Sequence, residues 1–152
     1  MNTYQKFPKK QLYIILAAAA LVIFASSLDV LMRVKDASIF EAWKESAIAF
    51  GTFTSENPPT LNDYVGVELF RYLFKIAIPV GFALLTFLTY QKLTLTKIYI
   101  FIWSVLLVGG LAYTFFELNF YSIFYYIVIV SFVGLFITLM MLSEEMQKSK
   151  NL

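Results

Sequence analysis

Ile98–Phe116 reads IYIFIWSVLLVGGLAYTFF and Phe120–Leu142 reads FYSIFYYIVIVSFVGLFITLMML, stretches of 19 and 23 residues with no charge in either. An α-helix rises about 1.5 Å per residue, so about 20 apolar residues cross a hydrocarbon core of about 30 Å. Each stretch is therefore long enough to be a transmembrane helix by itself. Two more follow on working outward. Leu12–Leu28 is free of charge and continues to Met32 past Asp29. Val65–Tyr90 is crossed by Glu68, Arg71 and Lys75 in its first half and is clean from Ile76 onward. Both reach spanning length if their charged ends lie at the headgroup level. The expectation is an all-α, integral membrane four-helix bundle, a single domain over 1–152 with spans at about 11–32, 64–91, 97–117 and 120–142.

Composition supports this reading. Of 152 residues, 60% are hydrophobic and 14% charged; soluble domains carry about 45–50% and about 25%. There is no cysteine and no histidine. Disulfides, thiolate nucleophiles, thiolate or imidazole metal sites and histidine acid–base chemistry are excluded, and no metal or other cofactor is expected. A net charge of +2 gives no footing for a nucleic-acid partner. The first apolar run is longer than the roughly 7–15 residues of a signal-peptide core, and only Ala25-Ser26-Ser27 resembles a cleavage site, so the run is read as a span.

Four spans place both termini on one side. Lys6, Lys9, Lys10, Lys92, Lys97, Lys148 and Lys150 fall on that side, with Glu144 and Glu145. The other side holds Arg33, Lys35, Lys44, Arg71 and Lys75 with eight acids. Basic residues favour the cytoplasm, so the expectation is an inner-membrane, multi-pass protein with both termini cytoplasmic and the 34–63 loop outside.

That loop contains Ser38-Ile39-Phe40-Glu41, a capping-box pattern. Ile39, Phe40, Trp43, Ala47 and Phe50 recur at helical spacing, with Glu41, Lys44 and Glu45 opposite and Gly51 as a C-terminal stop. A short amphipathic helix over 38–50 follows. Its apolar stripe, with Ile39, Phe40, Trp43 and Phe50 as anchors, either lies in the headgroup layer or packs down on the bundle. Thr60-Leu61-Asn62-Asp63 repeats the capping pattern before the second span. Pro79 should kink that span beside Lys75, whose carbonyl loses its donor. Ala17–Ala20, Gly81, Ala83, Gly109 and Gly110 offer small faces for close helix approach.

Six charges lie in or beside the spans: Asp29, Arg33, Glu68, Arg71, Lys75 and Glu117. Three are acids and three are bases, all toward the outer end. They form either a self-neutralising ion-pair network or a site for a ligand or partner. An unpaired guanidinium there would cost a few kcal/mol, so Arg71 should pair with Glu68, Asp29 or Glu117, while the flexible Lys75 should reach toward water. No carboxylate lies at mid-membrane in the first, third or fourth span, which argues against a proton-coupled transporter. The aspartates lack the Asn-rich setting of lipoprotein signal peptidases. A dyad of Ser26 or Ser27 with Lys75 is disfavoured, because serines in apolar helices bond their own backbone.

The stretch Glu68-Leu69-Phe70-Arg71-Tyr72-Leu73-Phe74-Lys75 resembles the F-R-Y-L-x-N segment that opens the second span of the exosortase-F-associated membrane proteins of Bacteroidota. Met32-Arg33 followed by Ile39-Phe40-Glu41 is similar to that family's arginine and acidic–aromatic order. The likeness covers roughly the first two thirds of the chain. The family has Asn at the Lys75 position and a basic F-Y-x-R-R segment where this chain has Phe120-Tyr121-Ser122-Ile123-Phe124. The resemblance implies a helper to a membrane transpeptidase-like sorting enzyme, which itself needs Cys and His. The functional expectation is thus a non-enzymatic accessory or structural subunit with the lipid bilayer and other membrane subunits as partners. The alternative is a small binding or transport protein holding a lipid head group or other anionic ligand at the charged cluster.

Overall fold

The computed structural model describes residues 7–92 and 95–150, without the side chains of Lys92, Ser149 and Lys150. Of the lysines that carry the orientation, Lys6 and the side chains of Lys92 and Lys150 lie outside the described residues. The chain folds as α1 (Lys9–Lys35), α2 (Ala37–Ala49), α3 (Leu61–Lys92), α4 (Lys97–Phe116) and α5 (Ile123–Lys150), with no strand among the described residues. The long helices α1, α3, α4 and α5 are each apolar enough to cross a membrane. They form an all-α four-helix bundle. α1 packs against α3 and α5, and α4 closes the ring against α5 and more lightly against α3.

Side-chain size sets the packing. Ile15, Val22, Phe82, Leu107, Val128, Phe132, Leu135 and Leu139 are fully enclosed. The Trp103 ring lies 5.0 Å from Phe82 and covers Gly81. Gly110 lets the Phe132 ring close in: a β-carbon there would lie 2.7 Å from that ring, whereas one on Gly109 would meet nothing within 4 Å. Of the two adjacent glycines, only Gly110 is thus a packing residue. Large apolar side chains such as Phe24, Phe101, Phe116 and Val130 face outward, as they must where the solvent is lipid.

Hydroxyls in the spans mostly donate to carbonyls one turn back, as Ser104 does to Ile100 and Thr138 to Gly134. Ser27 donates to Ile23 and also meets the Tyr72 hydroxyl. Ser26 departs from the expectation, because its buried hydroxyl has no hydrogen-bond partner. α3 is continuous through Pro79.

Helix bounds extend beyond the expected spans at several ends, and α5 is the one that starts late: it begins at Ile123, not near 120, and the helix runs on past 142 to Lys150. Its later start has a local cause. Leu118 takes a positive φ of 50°, and the 117–122 segment turns on bonds such as Phe120 N–H to the Leu118 carbonyl. Tyr125 and Tyr126 then donate their hydroxyls to the carbonyls of Phe115, in the last turn of α4, and Phe120, in the turn itself, tying the start of α5 back to the turn. The start of α2 is also corrected. Asp36, not Ser38, is the N-cap: its carboxylate accepts from both the Ser38 backbone N–H and the Ser38 hydroxyl. Asp36 is better placed because α1 ends one residue before it, so a single residue closes one helix and opens the next. Glu41, freed from any capping box, lies 3.6 Å from Lys44. At α3 the expected box does form, with Asp63 accepting from the Thr60 N–H and hydroxyl and the Thr60 hydroxyl accepting from the Asp63 N–H.

Candidate functional site: a charged cluster at one end of the bundle

Three helices bring the six charges to one end. Glu68 is the hub. Its side chain is 2% exposed, and its two oxygens serve different arginines: Arg33 Nε at 3.2 Å from Oε2 and Arg71 Nη1 at 2.9 Å from Oε1. Arg71 and Glu68 stand three residues apart on α3 and therefore share a face. Arg33 reaches the same carboxylate from the last turn of α1, where its charge also complements the helix dipole. Of the three partners considered for Arg71, the structure selects Glu68.

Lys75 corrects the sequence reading. It does not reach toward water; it is 8% exposed and its Nζ lies 2.6 Å from Glu117 Oε2. One turn below Arg71 on α3, it faces the end of α4, where Glu117 is itself largely enclosed. If Lys75 turned to the surface it would leave the enclosed Glu117 charge unpaired, and a lone buried charge is the costly arrangement.

Asp29 pairs with neither arginine by direct contact. It accepts from the Ser122 hydroxyl at 2.6 Å and from Asn119 Nδ2 at 3.4 Å. Asn119 and Ser122 were not singled out in the sequence. The signal available was their polarity between two apolar spans; what places them opposite α1 is the positive-φ turn at Leu118. Tyr64 was missed for a similar reason. It is fully buried, donates to the Arg33 carbonyl, and packs against the rings of Phe40 and Trp43 at 5.7 and 5.3 Å.

Among the anchor residues, Phe40 and Trp43 thus turn toward the bundle, with Ala47 buried beside them and Ile39 partly covered. Phe50 leaves the stripe. It is 87% exposed at the end of α2, where Gly51 at φ 73° turns the chain away. Outside the spans, the hydrogen bonds from the Ser38 hydroxyl and N–H hold the Asp36 carboxyl below the ordinary aspartate value.

Arg33, Arg71, Tyr113, Phe116 and Glu117 line a pocket of about 290 Å³ where α1, α3 and the end of α4 meet. Arg71 and Tyr113 also border a wider cleft reaching Trp43 and Phe53. No group of three or more acidic, Cys or His residues that could hold a metal is found among the described residues. Comparison with protein-family models, curated proteins and solved structures gave no match.

Proposed function

We propose that this chain is a non-catalytic accessory subunit of a larger membrane assembly, seated in the inner membrane with both termini cytoplasmic. The observation that carries the reading is that Arg33, Glu68, Arg71, Lys75 and Glu117 are all engaged in ion pairs with one another. Asp29 is held by neutral donors from the α4–α5 turn. Charges so engaged tie α1, α3, α4 and the α4–α5 turn together at one end. They are poorly suited to deliver or accept a proton in a reaction. A catalytic acid or base needs a shifted but available proton site, and a carboxylate already shared by two guanidiniums is a poor candidate. The resemblance of Glu68–Lys75 to the exosortase-F-associated segment supports a protein-sorting enzyme as the class of partner, and the lysine distribution supports the orientation.

The test is affinity purification of the full chain from native membranes in mild detergent. A stoichiometric membrane protein is expected to accompany it. Recovery of the chain alone would overturn the subunit reading. For the orientation, a reporter active only outside the cytoplasm should be silent at the C-terminus and active when inserted near Glu56.

A further inference from the structure

The ion-paired group has unequal signs. Arg33, Arg71 and Lys75 face only Glu68 and Glu117. Glu117 is matched by Lys75, so in direct contacts two guanidiniums divide one carboxylate. Asp29 offsets Arg33 through space but makes no direct contact with either arginine; its carboxylate accepts from Ser122 and Asn119 and borders a separate pocket at the α4–α5 turn. The accessible member of the shared pair is Arg71, whose side chain is 42% exposed while Glu68 is enclosed. A guanidinium using one N–H group on Glu68 keeps others for a second anion. Asp63, the acid bordering the wider cleft, is turned to Thr60.

Depth identifies the anion. α3 has 32 residues, about 48 Å at 1.5 Å each. Its uncharged inner part ends at Tyr90. Counting about 20 residues back from there, one hydrocarbon thickness, reaches Phe70 and Arg71. Arg71 therefore lies at the hydrocarbon edge, from which its long side chain can reach lipid phosphates. Immediately beside it, Phe70, Phe74 and Phe116 are exposed, and the Phe74 ring rests 5.0 Å from Tyr113 across the α3–α4 groove. A cation within reach of the phosphate level above an exposed aromatic groove matches one molecule end to end.

We propose that this groove is a binding site for an anionic glycerophospholipid. Its phosphate is held by Arg71 with Arg33 behind it, and one acyl chain lies along Phe74 and Phe116. Guanidinium geometry suits phosphate oxygens. A zwitterionic lipid fits less well at the pocket under Arg71, because that pocket's own acid, Glu117, is already matched by Lys75, and Asp63, on the wider cleft, turns one of its oxygens to Thr60. The site does not depend on whether a protein partner exists.

Native mass spectrometry of the full chain tests this, with phosphatidylglycerol and phosphatidylcholine of equal chain length in mixed micelles. The wild type should retain the anionic lipid in preference, and Arg71→Gln should lower that retention about tenfold, the scale of a lost charge-assisted bond. Phe116→Ala, at a side chain 76% exposed and so dispensable for folding, should lower retention of long-chain but not short-chain lipid. Equal retention of both lipids by the wild type overturns the proposal, and so does an anionic preference unchanged in Arg71→Gln. Displacement of the lipid by millimolar inorganic phosphate overturns the lipid as occupant and leaves a free-anion site. If Arg71→Gln does not fold, the wild-type lipid preference and the Phe116→Ala result decide.

Discussion

Glu68→Gln is the sharpest perturbation of this bundle. Glutamine matches the glutamate in size, so no cavity opens; what changes is one negative charge at a position 2% exposed. Two arginines then lose their counter-ion at once. Removing one partner of a buried ion pair costs about 3–5 kcal/mol. The Arg71 arm deserves less than that, because its side chain is 42% exposed and an exposed pair contributes at most about 1 kcal/mol. The Arg33 arm, 21% exposed, carries the larger part, about 2–3 kcal/mol. A total loss of about 2–4 kcal/mol is expected. Reversible unfolding in mixed detergent–SDS micelles measures it, with a double-mutant cycle to Arg33→Gln isolating that arm. The coupling energy should be at least about 1.5 kcal/mol. Replacing both residues, as Arg33→Met with Glu68→Met, should recover most of the loss, because no charge is left buried alone. If Glu68→Gln costs under about 1 kcal/mol, the cluster behaves as a solvated surface pair and its role in tying the helices together is refuted.

Lys75→Ala should destabilise the same equilibrium more than Arg71→Ala, since it strands the enclosed Glu117 while Arg71 is half open to its surroundings; the reverse order would place Glu117 in contact with water. Gly110→Ala should cost about 1–3 kcal/mol by driving a methyl into the buried Phe132 ring. Gly109→Ala, with open space around it, should be neutral or stabilising by up to about 1 kcal/mol; equal effects would contradict the close approach at Gly110. Asp36→Ala should speed amide exchange in the first turn of α2, and Ser38→Ala should do so less, because the Asp36 carboxylate also accepts from the Ser38 backbone. Since the Asp36 carboxyl is held below its ordinary value of about 3.9, its contribution is complete above that value and is lost as pH falls through the lower folded-state value. Protection of that turn should therefore be constant from neutral pH to about 5 and decline only in stronger acid; a decline already at pH 6 would rule out Asp36 as the cap.

Number and kind of elements were legible in the chain because lipid imposes a one-dimensional rule. A backbone with no water to bond must satisfy itself within the helix, so an uncharged run of sufficient length reads as a span with no knowledge of its neighbours. The same holds for local signals: the Thr60–Asp63 box, the Gly51 stop and the Glu68–Arg71 pair all join residues three apart or fewer, or a residue at its own turn. Pairings between helices were not legible in that way. That Lys75 meets Glu117, that Arg33 leaves Asp29 one turn away for Glu68, and that Asp29 takes Ser122 and Asn119 depend on how α1, α3 and the α4–α5 turn are rotated about their axes. Small packing differences decide that rotation, such as an open side at Gly109 and a ring against Gly110, and composition and periodicity do not record it. Sequence thus determined which charges lie at one end of the bundle. Only the tertiary structure decided which carboxylate each base meets, because each charge has several opposite charges within reach of its helix and contact is settled by the angle at which the helices face one another.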